Sequence, residues 1–307
     1  MINKIEKIYS KQVVAKFILK VKKKENEIMS KEYPITVSSW TLGDKCSFEA
    51  RVEAAKEAGY DGIGLRAETY VDALNEGLYD DDILAILEKY DMKVTEVEYI
   101  VQWAEDERSY EQKYKEQMCF HMCELFGVNH INCGLMEDYS VEHTAQKLKE
   151  LCHRARNYTI GVEPMPYSGI PTVKKGWDIV NAADCPNAKL ILDTWHWVRA
   201  NQPLDIEVLK DVPADKIVSI QINDVWERPY ATSILRDESM HDRLAPETGI
   251  GTTVPFLKII KEKGIEPKAV GVEVISDAIL AKGIKEAAKH TYDNARKAIE
   301  AAWPEIL

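Results

Sequence analysis

Leu190-Ile191-Leu192-Asp193-Thr194-Trp195-His196-Trp197 places one carboxylate at the end of an unbroken apolar run. Three further stretches in the C-terminal half follow the same plan: Gly161-Val162-Glu163-Pro164-Met165-Pro166, Ile220-Gln221-Ile222-Asn223-Asp224 and Gly271-Val272-Glu273-Val274-Ile275. Short apolar and β-branched runs of this kind read as strands buried on both faces, the mark of a parallel sheet. One oxygen-bearing side chain near the carboxyl end of each strand asks for a common mouth on which all four converge.

Outward from these four runs, the same phrase of apolar run, polar loop and helical pattern recurs along the chain. Strands are expected at Ile35 to Trp40, Gly62 to Arg66, Lys93 to Ile100, Val128 to Leu135, Thr159 to Met165, Lys189 to Thr194, Ile217 to Asp224 and Ala269 to Ile275. Helices are expected at Phe48 to Ala58, Asp81 to Tyr90, Glu107 to Phe126, Val141 to Arg156, Val173 to Ala183, Ile206 to Lys210, Val254 to Lys263 and Leu280 to Ala302. Eight βα units in residues 33–307 close most simply into one α/β domain, a (β/α)8 TIM barrel. A doubly wound open sheet is the alternative. Residues 1–32 hold nine Lys and four Glu and read as a basic, weakly ordered extension.

Composition narrows the function classes. The chain has 307 residues, 45% hydrophobic and 30% charged, with no apolar run long enough to span a bilayer, so membrane spans and wholesale disorder are excluded. A net charge of −11 repels a phosphate backbone, which argues against nucleic acid as a partner. Six scattered cysteines without a CxxC or a secretory leader point to the cytoplasm. Two tempting motifs fail on context. Gly62-Ile63-Gly64 opens a strand where a dinucleotide fingerprint would follow one, and Cys119-x-His121-x-Cys123 lies within a long helix, where packing is the default.

Three carboxylates buried in apolar strands cost several kcal/mol each unless they meet a cation or a proton. Glu163, Asp193, Gln221 and Glu273 would supply an all-oxygen shell for one divalent metal ion, Mn²⁺ before Mg²⁺, Co²⁺ or Zn²⁺. The competing reading gives each acid a Lys or Arg partner. Trp40, Trp103, Trp195, Trp197 and Trp226 fall at or just beyond strand ends, where they could wall a ligand pocket.

LILDTWHW, with GVEPMP upstream and GVEVIS downstream, resembles the sugar phosphate isomerase/epimerase family with the xylose isomerase-like barrel, from Tyr33 to the C-terminus. The resemblance implies that Glu163, Asp193, Gln221 and Glu273 bind the metal and that His196 stands beside the substrate. Most epimerases of the family carry histidine where Gln221 stands. Glutamine there resembles the dehydratase branch, with its 3-dehydroshikimate and inosose-processing enzymes. His241-Asp242-Arg243-Leu244-Ala245-Pro246-Glu247-Thr248-Gly249 is similar to a substrate loop of that branch, although Glu247-Thr248 interrupts the usual order. The large subunits of C-glycoside deglycosidases share the barrel as well, which implies either a homo-oligomer or a small partner subunit.

The implied chemistry is removal of the proton next to a polarised carbonyl of a keto sugar or cyclic polyol, with Glu163 and Glu273 as acid and base. Return of the proton elsewhere gives isomerisation or epimerisation. Loss of a β-substituent gives elimination, by dehydration or by C-glycoside cleavage of a 3-keto-glycoside, and a lyase is the preferred reading. His196 is expected to aid the leaving group, with Arg243, His241 and Trp195 contacting substrate. A non-catalytic barrel around a structural ion is the rival from another class.

Overall fold

Eight parallel strands close on themselves in the computed structural model, which describes residues 33–304. They are β1 (Ile35–Ser38), β2 (Gly62–Arg66), β3 (Lys93–Ile100), β4 (His130–Cys133), β5 (Thr159–Val162), β6 (Ala188–Asp193), β7 (Ile217–Ile222) and β8 (Val270–Val272). Pairing of β1 with β8, Ile35 beside Val270, completes the ring and removes the open-sheet alternative. The reading of residues 1–32 lies outside the described residues. Among the described residues, no helix is long and apolar enough to cross a membrane, and all six cysteines are free.

Local chemistry sets the helix ends. Phe48–Ala58 starts where the Ser47 side chain accepts a hydrogen bond from Ala50 N and stops at Gly59, whose φ of 112° suits glycine. Tyr110–Phe126 begins three residues later than the hydrophobic pattern suggests, because Ser109 and Gln112 form a reciprocal capping box. Cys119 and Cys123 of this helix are buried in the core, whereas His121 faces outward to Asp80 and Tyr70.

The structure departs from the sequence reading in five places. Ala67–Asn75 and Leu235–His241 are helices that the pattern did not reveal; the first follows β2 with no polar loop between them. Ile206–Leu209 is a single 3₁₀ turn. Leu280 to Ala302 is broken at Gly283 (φ 98°), leaving Asp277–Leu280 and Ile284–Ala302. Most consequential, Asp193 ends β6 and caps the short helix Thr194–Arg199, its Oδ1 accepting from His196 N at 2.9 Å. His196 therefore sits on a helical turn.

Trp303, just past the barrel's last helix, packs against the segment that leads into β1 and against the helix Thr253–Glu262. Its ring is 2% exposed and 5.4 Å from that of Tyr33, and its Nε1 donates to Leu257 O at 2.9 Å. Trp303→Ala is expected to cost about 3–5 kcal/mol, the usual range for a buried Trp truncation, read as a lowered urea midpoint. A loss below about 1 kcal/mol would show that the clasp carries little of the stability.

Candidate active site

Asp193 is paired in strand register with Gln221 of β7, and Gln221 in turn with Gly271 of β8. Glu163 and Glu273 stand one residue beyond β5 and β8, held by backbone bonds from Glu163 N to Cys133 O (2.9 Å) and from Glu273 N to Ile222 O (3.2 Å). One carboxylate oxygen from each of Glu163, Asp193 and Glu273 lies within 4.8 Å of the others, and all three side chains are buried. Three of the four oxygen-bearing side chains marked in the sequence therefore meet at one end of the barrel, and Gln221 lies beside Asp193 in the strand register.

Arg243 is embedded in this cluster. Its Nη1 lies 3.1 Å from Asp193 Oδ2 and 3.1 Å from Glu273 Oε2. Nε donates to Ser239 O at 2.8 Å and Nη2 to Ser239 Oγ at 2.9 Å, so the guanidinium is locked in place. The competing reading, an arginine partner for each acid, thus holds for Asp193 and Glu273 and fails for Glu163. Three carboxylates against one guanidinium leave an imbalance of two negative charges.

The titration behaviour reflects this deficit. Burial, followed by the charges of Glu273 and Asp193, pushes the Glu163 carboxyl up to about 8. Burial also lifts Asp193 to about 6, against the pull of Arg243. His196 supplies no compensating charge, because burial and Arg243 hold it well below its ordinary 6.5. Its Nε2 lies 3.3 Å from Arg243 Nη2 and 3.4 Å from Glu163 Oε1. Arginine can only donate, so Nε2 accepts, the ring proton sits on Nδ1, and Nε2 cannot bond to the carboxylate. Glu163 Oε1, Gln221 Oε1 and Asn223 Oδ1 are all buried without a hydrogen-bond partner. Unpartnered oxygens and a deficit of two positive charges fit an oxygen-coordinated divalent cation.

A cavity of about 280 Å³ opens onto Glu163, Glu273, His196 and Arg243, with Trp40 and Tyr99 in its wall. Arg66 stacks on the Trp40 ring at 3.6 Å. A second cavity of about 370 Å³ shares Trp40, Met240 and Ile275 with the first and adds Asp44, Asp72 and Asp277. His241 lies there, largely exposed and 3.2 Å from Asp277, away from the carboxylate cluster. Trp195 is fully buried against Val225 and Leu235 and backs Arg243, so it supports the site from behind. Trp103 and Trp197 belong to the core and Trp226 is on the surface; of the five tryptophans, Trp40 alone lines the mouth.

The loop that follows β7 is organised by Asp224. This carboxylate accepts from Gly249 N, Gly251 N, Thr252 N and Thr252 Oγ1 at 2.8–3.2 Å, and Glu247 Oε1 accepts from Val254 N at 2.8 Å. Glu247 thereby serves the loop's structure. Several site residues escaped the sequence reading. Asn223 Nδ2 donates to Asp193 Oδ2 at 2.8 Å, and Glu96, Glu98 and Asn132 form a buried polar layer in the barrel. The signal for the glutamates was present in Val94-Thr95-Glu96-Val97-Glu98-Tyr99, two acids two residues apart in an apolar strand.

Residues 52–294 match the sequence profile described as the xylose isomerase-like TIM barrel. The chain belongs to this family. It is 25% identical over 250 residues to a protein named inosose isomerase from Bacillus velezensis, covering 76% of this chain and 85% of that one. It is 29% identical over 140 residues to a 3-dehydroshikimate dehydratase from Pseudomonas aeruginosa, covering 45% of this chain and only 21% of the longer relative. Among solved structures, the IolI protein with a bound zinc atom aligns at a TM-score of 0.76 and 19% identity, over 88% of this chain and 99% of its own. The probable 3-DHS dehydratase AsbF from Bacillus anthracis aligns at 0.68 and 14%, over 86% and 98%. At such identities these structures speak for the fold.

In the metal-free protein the raised Glu163 and Asp193 carboxyls bind more protons folded than unfolded. Their contribution to stability is complete below the unfolded values near 4 and is lost as pH rises through about 6 and about 8. A divalent cation bound at the cluster would replace those protons. Thermal melts of chelator-treated protein should show Tm falling from pH 5 to pH 8, and 1 mM MnCl₂ should raise Tm progressively more across that window. A Mn²⁺ effect that is the same at both ends would contradict this account.

Proposed function

We propose that this chain is a divalent-metal-dependent enzyme that removes the proton adjacent to a carbonyl of a keto sugar or cyclic polyol. The observation that carries the reading is the carboxylate cluster with one arginine, open on the Glu163 and Glu273 side to a ligand-sized cavity. A purely structural ion needs no such opening. Glu163, Asp193 and Glu273, with Gln221 as a fourth donor, would hold one cation, Mn²⁺ first, with Mg²⁺, Co²⁺ or Zn²⁺ as alternatives, an all-oxygen set suiting the harder ions. Bound there, the ion would supply Lewis-acid polarisation of the substrate carbonyl.

The rest of the reaction belongs to the chain's own side chains. Glu163 and Glu273 each have two carboxylate oxygens, one for ligation and one to take or return a proton at the substrate carbon. Arg243 holds the Asp193 and Glu273 carboxylates in place, 3.1 Å from each, and His196 presents a neutral imidazole at the cavity wall. Trp40 offers an aromatic face to an uncharged ring. The acidic lining of the adjoining cavity favours a substrate without phosphate.

Elimination is the reaction we favour, either dehydration or cleavage of a 3-keto-glycoside, because the glutamine at 221 agrees with the likeness to a dehydratase. Isomerisation is the second reading, carried by the likeness to inosose isomerase over three quarters of the chain. We place the enzyme in the cytoplasm as an oligomer, of one chain type or with a small second subunit.

Purified protein incubated with Mn²⁺ and a panel of keto sugars and inososes in D₂O should incorporate deuterium next to the carbonyl, detected by NMR. Glu163→Gln and Glu273→Gln preserve shape while removing charge and proton acceptor, and each should lower exchange by at least about a hundredfold. Rates within tenfold of wild type in either variant would remove that residue from acid/base work.

A further inference from the structure

Gln221 has a side-chain amide with two different ends. Only Oε1 can ligate a cation; Nε2 carries two hydrogens and would repel one. Nothing in the local backbone chooses between the two orientations, because β7 fixes where the side chain leaves the strand and not how its terminal amide is turned. The choice must come from what the amide touches.

Nε2 touches Glu98. It donates to Glu98 Oε1 at 3.1 Å, and the same oxygen accepts from Asn132 Nδ2 at 2.8 Å. Glu98 is 1% exposed, and its other oxygen is 3.7 Å from Arg66 Nη1. Asn132 is itself pinned, since its Nδ2 also donates to Glu96 Oε2 at 2.9 Å, an oxygen that accepts from Ser219 Oγ at 3.2 Å. With two donors already on Glu98 Oε1, that atom is an acceptor whatever the charge of the carboxyl. Gln221 must then present nitrogen to Glu98 and keep Oε1 at the opposite end, where it is buried and unpartnered.

We propose that Glu98 is a positioning residue for the cation site, orienting the Gln221 amide so that Oε1 is the end offered to the ion. The inference rests on the metal reading above and adds a residue two elements away from the carboxylate cluster, on β3. It also gives a reason for glutamine at 221, since an acceptor beneath the side chain makes an amide a directional oxygen donor without adding a further negative charge.

The test is Mn²⁺ binding by isothermal titration calorimetry on folded wild type, Glu98→Leu, Gln221→Ala and the two double variants, Glu98→Leu with Gln221→Ala and Glu98→Leu with Gln221→Glu. Loss of an outer partner of a ligand usually weakens binding about 10- to 100-fold, and Glu98→Leu should do so. If Glu98 acts through Gln221, Glu98→Leu should add nothing in the Gln221→Ala background. Gln221→Glu should restore affinity to Glu98→Leu, because a carboxylate offers oxygen at both ends. Glu98→Met serves the same comparison if the leucine variant does not fold. Wild-type affinity in Glu98→Leu, additive losses in the alanine double variant, or no rescue by Gln221→Glu would each overturn the proposal. Failure of the wild type to bind Mn²⁺ would overturn the metal reading itself.

Discussion

One guanidinium shared by three buried carboxylates is the constraint on which the rest of this structure depends. Arg243 sits 3.1 Å from both Asp193 and Glu273 and neutralises one charge of three, leaving Glu163 held above neutral pH by burial and its neighbours. Uncompensated charge of this kind is too costly to persist in an apolar barrel. In the metal-free protein a proton on Glu163 relieves part of it up to about pH 8, and a divalent cation would take that proton's place. The cost of assembling the cluster would then also be the source of an affinity for a cation.

The fold around the cluster can be read as the means of keeping it assembled. Parallel strands bring the three acids from three separate sequence regions to one end of the barrel. Ser239 holds the Arg243 guanidinium from one side while Asp224 ties down the loop that follows it, through four donors from Gly249, Gly251 and Thr252. Trp195 fills the space behind Arg243, so the arginine cannot swing away to solvent. Asp193 does two jobs with two oxygens, one capping the helix that carries His196 and the other facing Arg243. A change at any of these positions should be felt first as a change in the charge balance.

The strands of the barrel and its candidate ligands were legible because both follow from periodicity: an apolar run with one oxygen-bearing side chain at its end is unusual enough to mark Glu163, Asp193, Gln221 and Glu273 from sequence. What the sequence hid were relations between residues far apart in the chain. Arg243 could equally have been an exposed loop residue, and its burial depends on Ser239, Trp195 and two strands that no local pattern connects to it. Trp195, read as a substrate contact, was misplaced for a related reason: the helix Thr194–Arg199, capped by the very aspartate that was read as a ligand, turns its side chain behind Arg243 while His196 reaches the cavity. His241 was taken together with Arg243 from one loop, yet the two side chains diverge into different surroundings. Glu98 escaped because its meaning lies in Gln221, 123 residues away.

The central claim concerns charge, and proton release on metal binding tests it most directly. Calorimetric titration of Mn²⁺ into the apo protein at pH 7, repeated in buffers of different ionisation enthalpy, counts the protons displaced by each ion. A Glu163 carboxyl raised to about 8 is largely protonated at that pH, so one bound ion per chain should release close to one proton. Tight binding with no proton released would show that Glu163 is ionised before the ion arrives, and no binding at all would show that the cluster is balanced without a cation; either would contradict the account.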